Sequence, residues 1–546
     1  MSWCVRLVCL AAFTAAALIP LRAQQIDHDG HHGAGPVPQE ILNRPVPLRS
    51  GIGTMHQKIS TSSSRAQSFY DQGLAYLHSY VWIEAARSFH QALRLDSNLA
   101  MAYIELADAY IGLQDVMAAR AACNKAHVLQ AHMSVGEHAW LTIRERELDY
   151  LEDSGNVDKR SAYQDTISDA IKVNSRDPWL WVQRGLAAEA SPFTHGQAGG
   201  EGSLSSYRTA LELDPKNLVA FHYSIHCNEN LGHIKDALEQ SVTYVHLAPA
   251  IPHAHHMHGH ELMRVGRTEE AIQEFVKTND LEENYYRTEK IPAQYDWHHA
   301  HNLQLLALGY ELLGRVKTAE SLLRQAFAFP ACTEFLEYNR RVWPEFLINR
   351  GRFEEALNAS QQLIRSQLPM ARLAGYTLAG EALLGLNRLN DAQEQLALAE
   401  REAEHLPVRM VAALPYPAAL RASILLRGDQ KQEGESIFVE VEKSMLAMPG
   451  PDAWIATIFA LESITRDARE ANDWDLARYT AEQMIQHDPY YAGGHFAIGL
   501  VAEHAGENAG ARPMFAEAEK LWSQGDQDLP ELVLARKKLD ESALLH

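Results

Sequence analysis

From Ala66 onward, apolar and small residues recur at helical spacing in blocks of 34 residues. Phe69, Gly73, Tyr76, Ala85 and Ala92 mark one block, and Tyr103, Ala107, Tyr110, Ala119 and Ala126 repeat it 34 residues later. Phe89 and Leu106 fit the same frame. Each block divides into two segments with a 3.6-residue period, so the pattern predicts hairpins of antiparallel helices. Small residues let the two helices approach closely, and aromatics fill the space between them. Asp214-Pro215, Ala248-Pro249 and Asp488-Pro489 close later units, because proline cannot continue a helix. Further units are expected to start near Asn217, Pro252, Ala300, Glu337, Leu373, Pro415, Phe459 and Ala492. A looser pair spans Val135 to Asp214, interrupted by the Gly-rich loop Gly196–Gly202.

These positions resemble the tetratricopeptide-repeat family from about Ala66 to the C-terminus. The resemblance implies an all-α superhelical solenoid whose concave surface is lined by the first helix of each repeat. It also implies a protein or peptide partner in that groove. The expected organisation is a signal peptide over 1–23, a flexible arm over 24–64 and a repeat pair over 65–133. Irregular hairpins with the Gly-rich insertion follow over 134–216, His-rich repeats over 217–335 and C-terminal repeats over 336–546.

The leader reading rests on Arg6, the apolar stretch Leu7–Ile19 and a cleavage-like Leu21-Arg22-Ala23. It places the mature chain in the periplasm or outside the cell, with no membrane span left after cleavage. The arm is rich in Pro, Gly, Ser and His, as in Asp27-His-Asp-Gly-His-His32. A net charge of -21 argues against nucleic acid as a partner. Beyond the leader, Cys123, Cys227 and Cys332 make no disulfide framework and no Cys-x-x-Cys motif.

Histidine changes the picture. There are 27, of which 12 lie between His222 and His301. His222/His226 and His256/His260 are i, i+4 pairs exactly one 34-residue repeat apart. Counting from Leu218 and Pro252, they take the fifth and ninth places of the first helices, which the resemblance to tetratricopeptide arrays implies face the groove. His253 takes a second place, as does His301 in the repeat counted from Ala300. Helices packed about 8–10 Å apart bring such pairs within reach of a common ion with bonds of about 2.0–2.1 Å. The expected ligands are His222, His226, His256 and His260. His253 and His301 serve as further ligands or orienters, Asn302 fixes a tautomer, and Glu229 and Arg264 lie nearby. Imidazoles suit Zn, Cu or Fe, and the residues do not choose among them.

At these residues the chain also resembles a bacterial secreted tetratricopeptide subfamily with His-Tyr-x-Ile-His and His-x-x-His-Met-x-x-His motifs. Here they read His222-Tyr-Ser-Ile-His226 and His253-Ala-His-His-Met257 with His260, then His301-Asn302. That pattern implies a shared site and leaves His233, His246, His255, His258, His298 and His299 as extras. Gln304 stands where the subfamily often has another histidine. Three readings stay open: a scaffold with a metal site, a metalloenzyme using Glu229 or Glu261 as proton carrier, and a metal-free interaction scaffold. A pocket for an anion or carboxylate built from His, Arg264 and Asn302 is the rival account of the site itself.

Overall fold

The computed structural model describes residues 36–189, 194–406, 415–428 and 430–543. The expected leader and the arm as far as residue 35 lie outside them. Helix follows helix, beginning with Ser64–Leu77 against Trp82–Leu95 and Ala100–Gly112 against Val116–Val128. The described residues contain no strand, and none of their helices is long and apolar enough to cross a membrane. The chain is an all-α solenoid of successive antiparallel helix hairpins.

The hairpins follow from local chemistry. Gly73 lies against the Phe89 ring, where a Cβ would come within 2.4 Å, so only glycine lets the two helices meet. The turn between paired helices needs a left-handed residue, supplied by Gly232 at φ +78° and Gly266 at φ +75°. In the first hairpin that place is held by Tyr80, at φ +60°.

Helix starts differ from the expected register in several repeats. The helix expected from Ala300 is Trp297–Leu312, and the one expected from Phe459 is Pro451–Glu470. The shift at Trp297 has a cause: the preceding helix, Thr268–Glu289, runs for 22 residues and breaks the 34-residue frame. Its far end returns to the first repeat. There the Tyr285 hydroxyl donates to Glu84 at 3.0 Å, and Glu289 accepts from Arg87 at 2.9 Å and pairs with Arg49. Lower down, Asp526 donates its amide to the Gly314 carbonyl at 3.0 Å, and Asp528 pairs with Lys317 at 2.7 Å. Distant repeats therefore touch.

The described part of the expected flexible arm is packed. Residues 36–63 bury Ile41, Leu42, Val46, Ile52, Met55 and Ile59, an apolar series too irregular to show as periodicity. The Gly51 carbonyl accepts from the Ala250 amide at 2.8 Å. Gly53, at φ +92°, abuts Leu218, which a Cβ would meet at 2.5 Å. This strap ties the first repeats to the His-rich ones. Gly53→Val is expected to cost about 1–3 kcal/mol through its left-handed backbone, plus the clash. It should read as a lower denaturation midpoint and faster proteolysis near residue 53. An unchanged midpoint would mean that the strap contributes no stability.

Candidate metal centre

Three consecutive first helices carry the site: Leu218–Asn230, Pro252–Arg264 and Trp297–Leu312. The first is capped by Asn217, whose side chain accepts from the Ala220 amide at 2.9 Å. In the second, Gly259 stands between His258 and His260, and the Phe275 ring would lie 2.7 Å from a Cβ there. That approach draws helix Thr268–Glu289 against the histidines.

The six expected ligands are all buried. They form two groups rather than one: His222, His226 and His253, then His256, His260 and His301. Within each group the candidate ligand atoms lie within 4.8 Å of one another. The expected four-histidine centre is thus divided, His222 and His226 falling in one group with His253, and His256 and His260 in the other with His301. His253 and His256 are the nearest link between them on their shared helix. Their ring centroids lie 5.7 Å apart.

In the first triad the nitrogens converge tightly. His222 Nε2 is 3.1 Å from His226 Nε2 and 2.9 Å from His253 Nε2. The His222 Nδ1–H donates to the His78 carbonyl at 2.7 Å, which leaves Nε2 bare in the neutral ring. Burial holds His222 at a pKa of about 3 and pushes His226 and His253 well below the usual range, neighbouring imidazoles adding to the effect in all three. His222 Nε2 then offers one in-plane lone pair to two nitrogen neighbours. One proton can satisfy one of those contacts, and the other stays unfavourable. A cation at the common point satisfies all three.

Outer partners orient these rings. His253 Nδ1 lies 3.0 Å from His298 Nε2, and His298 and His299 both rest on the Glu282 carboxylate through Nδ1. Burial opposes ionisation of Glu282, but the two imidazoles outweigh it and hold its pKa below the usual value. This carboxylate–histidine–histidine chain matches the outer support common around metal-binding imidazoles.

The second triad is wider and has fewer partners. His256 Nδ1–H donates to Asn302 Oδ1 at 2.9 Å, while Asn302 Nδ2 donates to the Phe275 carbonyl at 3.0 Å. The amide orientation is fixed at both ends, so neutral His256 presents a bare Nε2. That atom, both nitrogens of His260 and His301 Nδ1 are buried without a hydrogen-bond partner among the described residues. Burial, with neighbouring histidines, lowers the pKa of His256, and burial takes that of His301 to about 4. Glu229 Oε1 stands 3.8 Å from His260 Nδ1. Burial, and then the facing Glu229, raise the Glu261 carboxyl well above the usual range.

Arg264 lies outside the triads, its guanidinium 5.6 Å from the Trp454 ring centroid. Of the expected extras, His233 and His246 are exposed. His255 pairs with Glu274 at 2.6 Å, and His258 with Ser241 at 3.0 Å. His298 is different: its ring sits 5.0 Å from His253 and 4.6 Å from His256, between the triads. Counted from Trp297, it holds the second place and His301 the fifth, as His253 and His256 do from Pro252. Gln304, outside both triads, donates to the Asn339 carbonyl at 3.2 Å.

Tyr80 carried no expectation either, and it lies over the first triad with ring centroids 4.7 Å from both His222 and His253. Its hydroxyl donates to the carbonyl of His195, the residue before the Gly-rich insertion, at 2.6 Å. A tyrosine where hairpins such as those of Gly232 and Gly266 have glycine was the available signal. Cys227, beside His226, is buried against Gly199 and belongs to neither triad.

Glu282→Gln should weaken metal binding about 10–100-fold, the usual effect of losing an outer carboxylate partner. Competition against a chelator measures it, and unchanged affinity would remove Glu282 from the site.

No family model and no curated protein sequence matches the chain. Similar solved structures include yeast Tom70, at 12% identity and TM-score 0.34 over 88% of this chain and 96% of that one. A tetratricopeptide repeat protein from Parabacteroides merdae is 14% identical, with TM-score 0.36, over 56% of this chain and 99% of that one. YrrB, described as a TPR protein with an unusual peptide-binding site, is 17% identical, with TM-score 0.22, over 37% of this chain and 98% of that one.

Proposed function

We propose that this chain is an extracytoplasmic tetratricopeptide scaffold that holds transition-metal ions in its two histidine triads and receives a protein or peptide partner. The carrying observation is the convergence on His222 Nε2 of two further imidazole nitrogens, at 2.9 and 3.1 Å. Three nitrogens bound tetrahedrally to one ion at about 2.0–2.1 Å would lie about 3.3 Å apart, so little movement is needed. Neutral imidazoles with bare nitrogens favour Zn, Cu or Fe over Mg or Ca. An anion finds little here: the Asn302 amide already donates to Phe275, and Glu229 and Glu261 add carboxyls.

A metalloenzyme is the second reading. His301 also lines a cavity of about 290 Å³, so an ion in the second triad would have a ligand space beside it. Catalytic metal sites keep such an open position, whereas structural ones are closed.

Elemental analysis of untagged protein after reconstitution with Zn²⁺, Cu²⁺ or Fe²⁺ tests the proposal. One ion per triad is expected, with His256→Ala/His260→Ala losing the second. A protein that retains no stoichiometric metal overturns it.

A further inference from the structure

The cavity beside His301 is walled mostly by apolar side chains from distant repeats, among them Leu308, Phe346, Met370, Met448 and Phe459. At about 290 Å³ it stands near the small end of ligand pockets, about 300–1,000 Å³. It suits a small molecule better than a folded segment. Trp82 and Trp297 also line it, stacked with ring centroids 5.4 Å apart.

The charged groups on this wall are unbalanced. Arg341 is its one guanidinium or ammonium group among the described residues, and Glu345 engages it at 3.0 Å. Asp467 is likewise held, by Arg427 at 3.1 Å. Three carboxyls remain. Glu311 is 6% exposed, and its Oε1 has no hydrogen-bond partner among the described residues. Asp452 Oδ1 also lacks one and stands 3.9 Å from His301 Nε2. Glu381 has no ion-pair partner on the wall, and burial raises both it and Glu311 to about 8. Arg350, whose charge reaches Glu311, is shared with Glu462 at 3.7 Å and Glu531 at 3.4 Å.

We propose that this cavity binds a small amphiphilic cation, an apolar body carrying a protonated amine. The body would fill the aliphatic and aromatic space, and the ammonium would supply the counter-charge missing at Glu311 or Glu381. A fatty acid or a phosphate ester meets unpaired carboxyls instead, and a neutral alcohol gains only burial. Meanwhile, methionines in the wall tolerate variation in the body of the ligand. The proposal goes beyond the metal reading, since none of the three carboxyls belongs to a triad.

Calorimetric titration of the full chain with octylamine, 1-octanol and octanoate separates these chemistries. Chelator is present throughout, so that a metal ion cannot hold the amine. Octylamine is expected to bind with a stoichiometry of one and at least about tenfold more tightly than the other two, the range set by charge-assisted hydrogen bonds. Glu311→Gln/Glu381→Gln should remove most of that preference and leave 1-octanol binding unchanged, which shows that the cavity is still intact. The proposal is overturned by octanoate binding as well as octylamine, by no saturable octylamine binding, or by a folded double variant that keeps the amine preference.

Discussion

His253→Ala is expected to lower affinity for the most tightly held zinc ion by at least about 100-fold, since even an outer partner is worth about 10–100-fold. The substitution removes one of three converging nitrogens and leaves His298 Nε2, 3.0 Å from His253 Nδ1 in the intact protein, without its neighbour. The effect should also appear as stability. An ion present at 100 times its dissociation constant stabilises a folded protein by about 2.7 kcal/mol, so zinc should raise the melting temperature of the wild type more than that of the variant. Equal chelator-competition curves for the two proteins would count decisively against the first triad.

Arg144→Met is expected to be the most damaging substitution away from the metal centre, at about 3–5 kcal/mol. Arg144 is 2% exposed and is surrounded by acids: Asp108 at 2.8 Å, Glu105 at 3.3 Å and Glu147 in direct contact. Burial already pushes Glu105 and Glu147 up to about 7 despite the guanidinium. A carboxyl raised in the folded state binds protons there that the unfolded chain releases, so its contribution to stability falls as pH rises between the two pKa values. Without Arg144 the folded-state values rise further. The deficit of the variant should therefore be smaller near pH 5 than near pH 8. Urea denaturation at the two pH values measures it, and a deficit independent of pH would mean that the acids are not the cause.

The repeat fold was legible because its signal is local and periodic: Gly73 and Phe89 meet within one hairpin, and the same spacing recurs 34 residues on. The grouping of His222, His226, His253, His256 and His260 was legible for the same reason, since Leu218 and Pro252 are true helix starts. The register failed at Trp297. A long helix before it displaced the count by three residues, and His298 was read as an extra when it sits between the triads. The division into two triads was not legible, because ring direction depends on partners far along the chain. His222 is set by the carbonyl of His78, and His256 by Asn302. Residues 36–63 were misread for a related reason: their order comes from surfaces such as Leu218 and Ala250, which no local pattern reveals.

Contacts between distant repeats change how such an array must come apart. An open solenoid holds each unit by its neighbours alone and can fray from either end. Here Glu289 grips Arg87 across 202 positions of chain, and Lys317 holds Asp528 across 211. Loss of one end therefore loosens the middle, which favours a single steep transition over stepwise melting. Assembly is affected as well, because contacts so remote in sequence form late and slowly. The first triad lies beneath Tyr80, with His222 fully buried. An ion bound there would have to arrive before closure or wait for an opening, which would make loading a folding event and exchange from the finished protein slow.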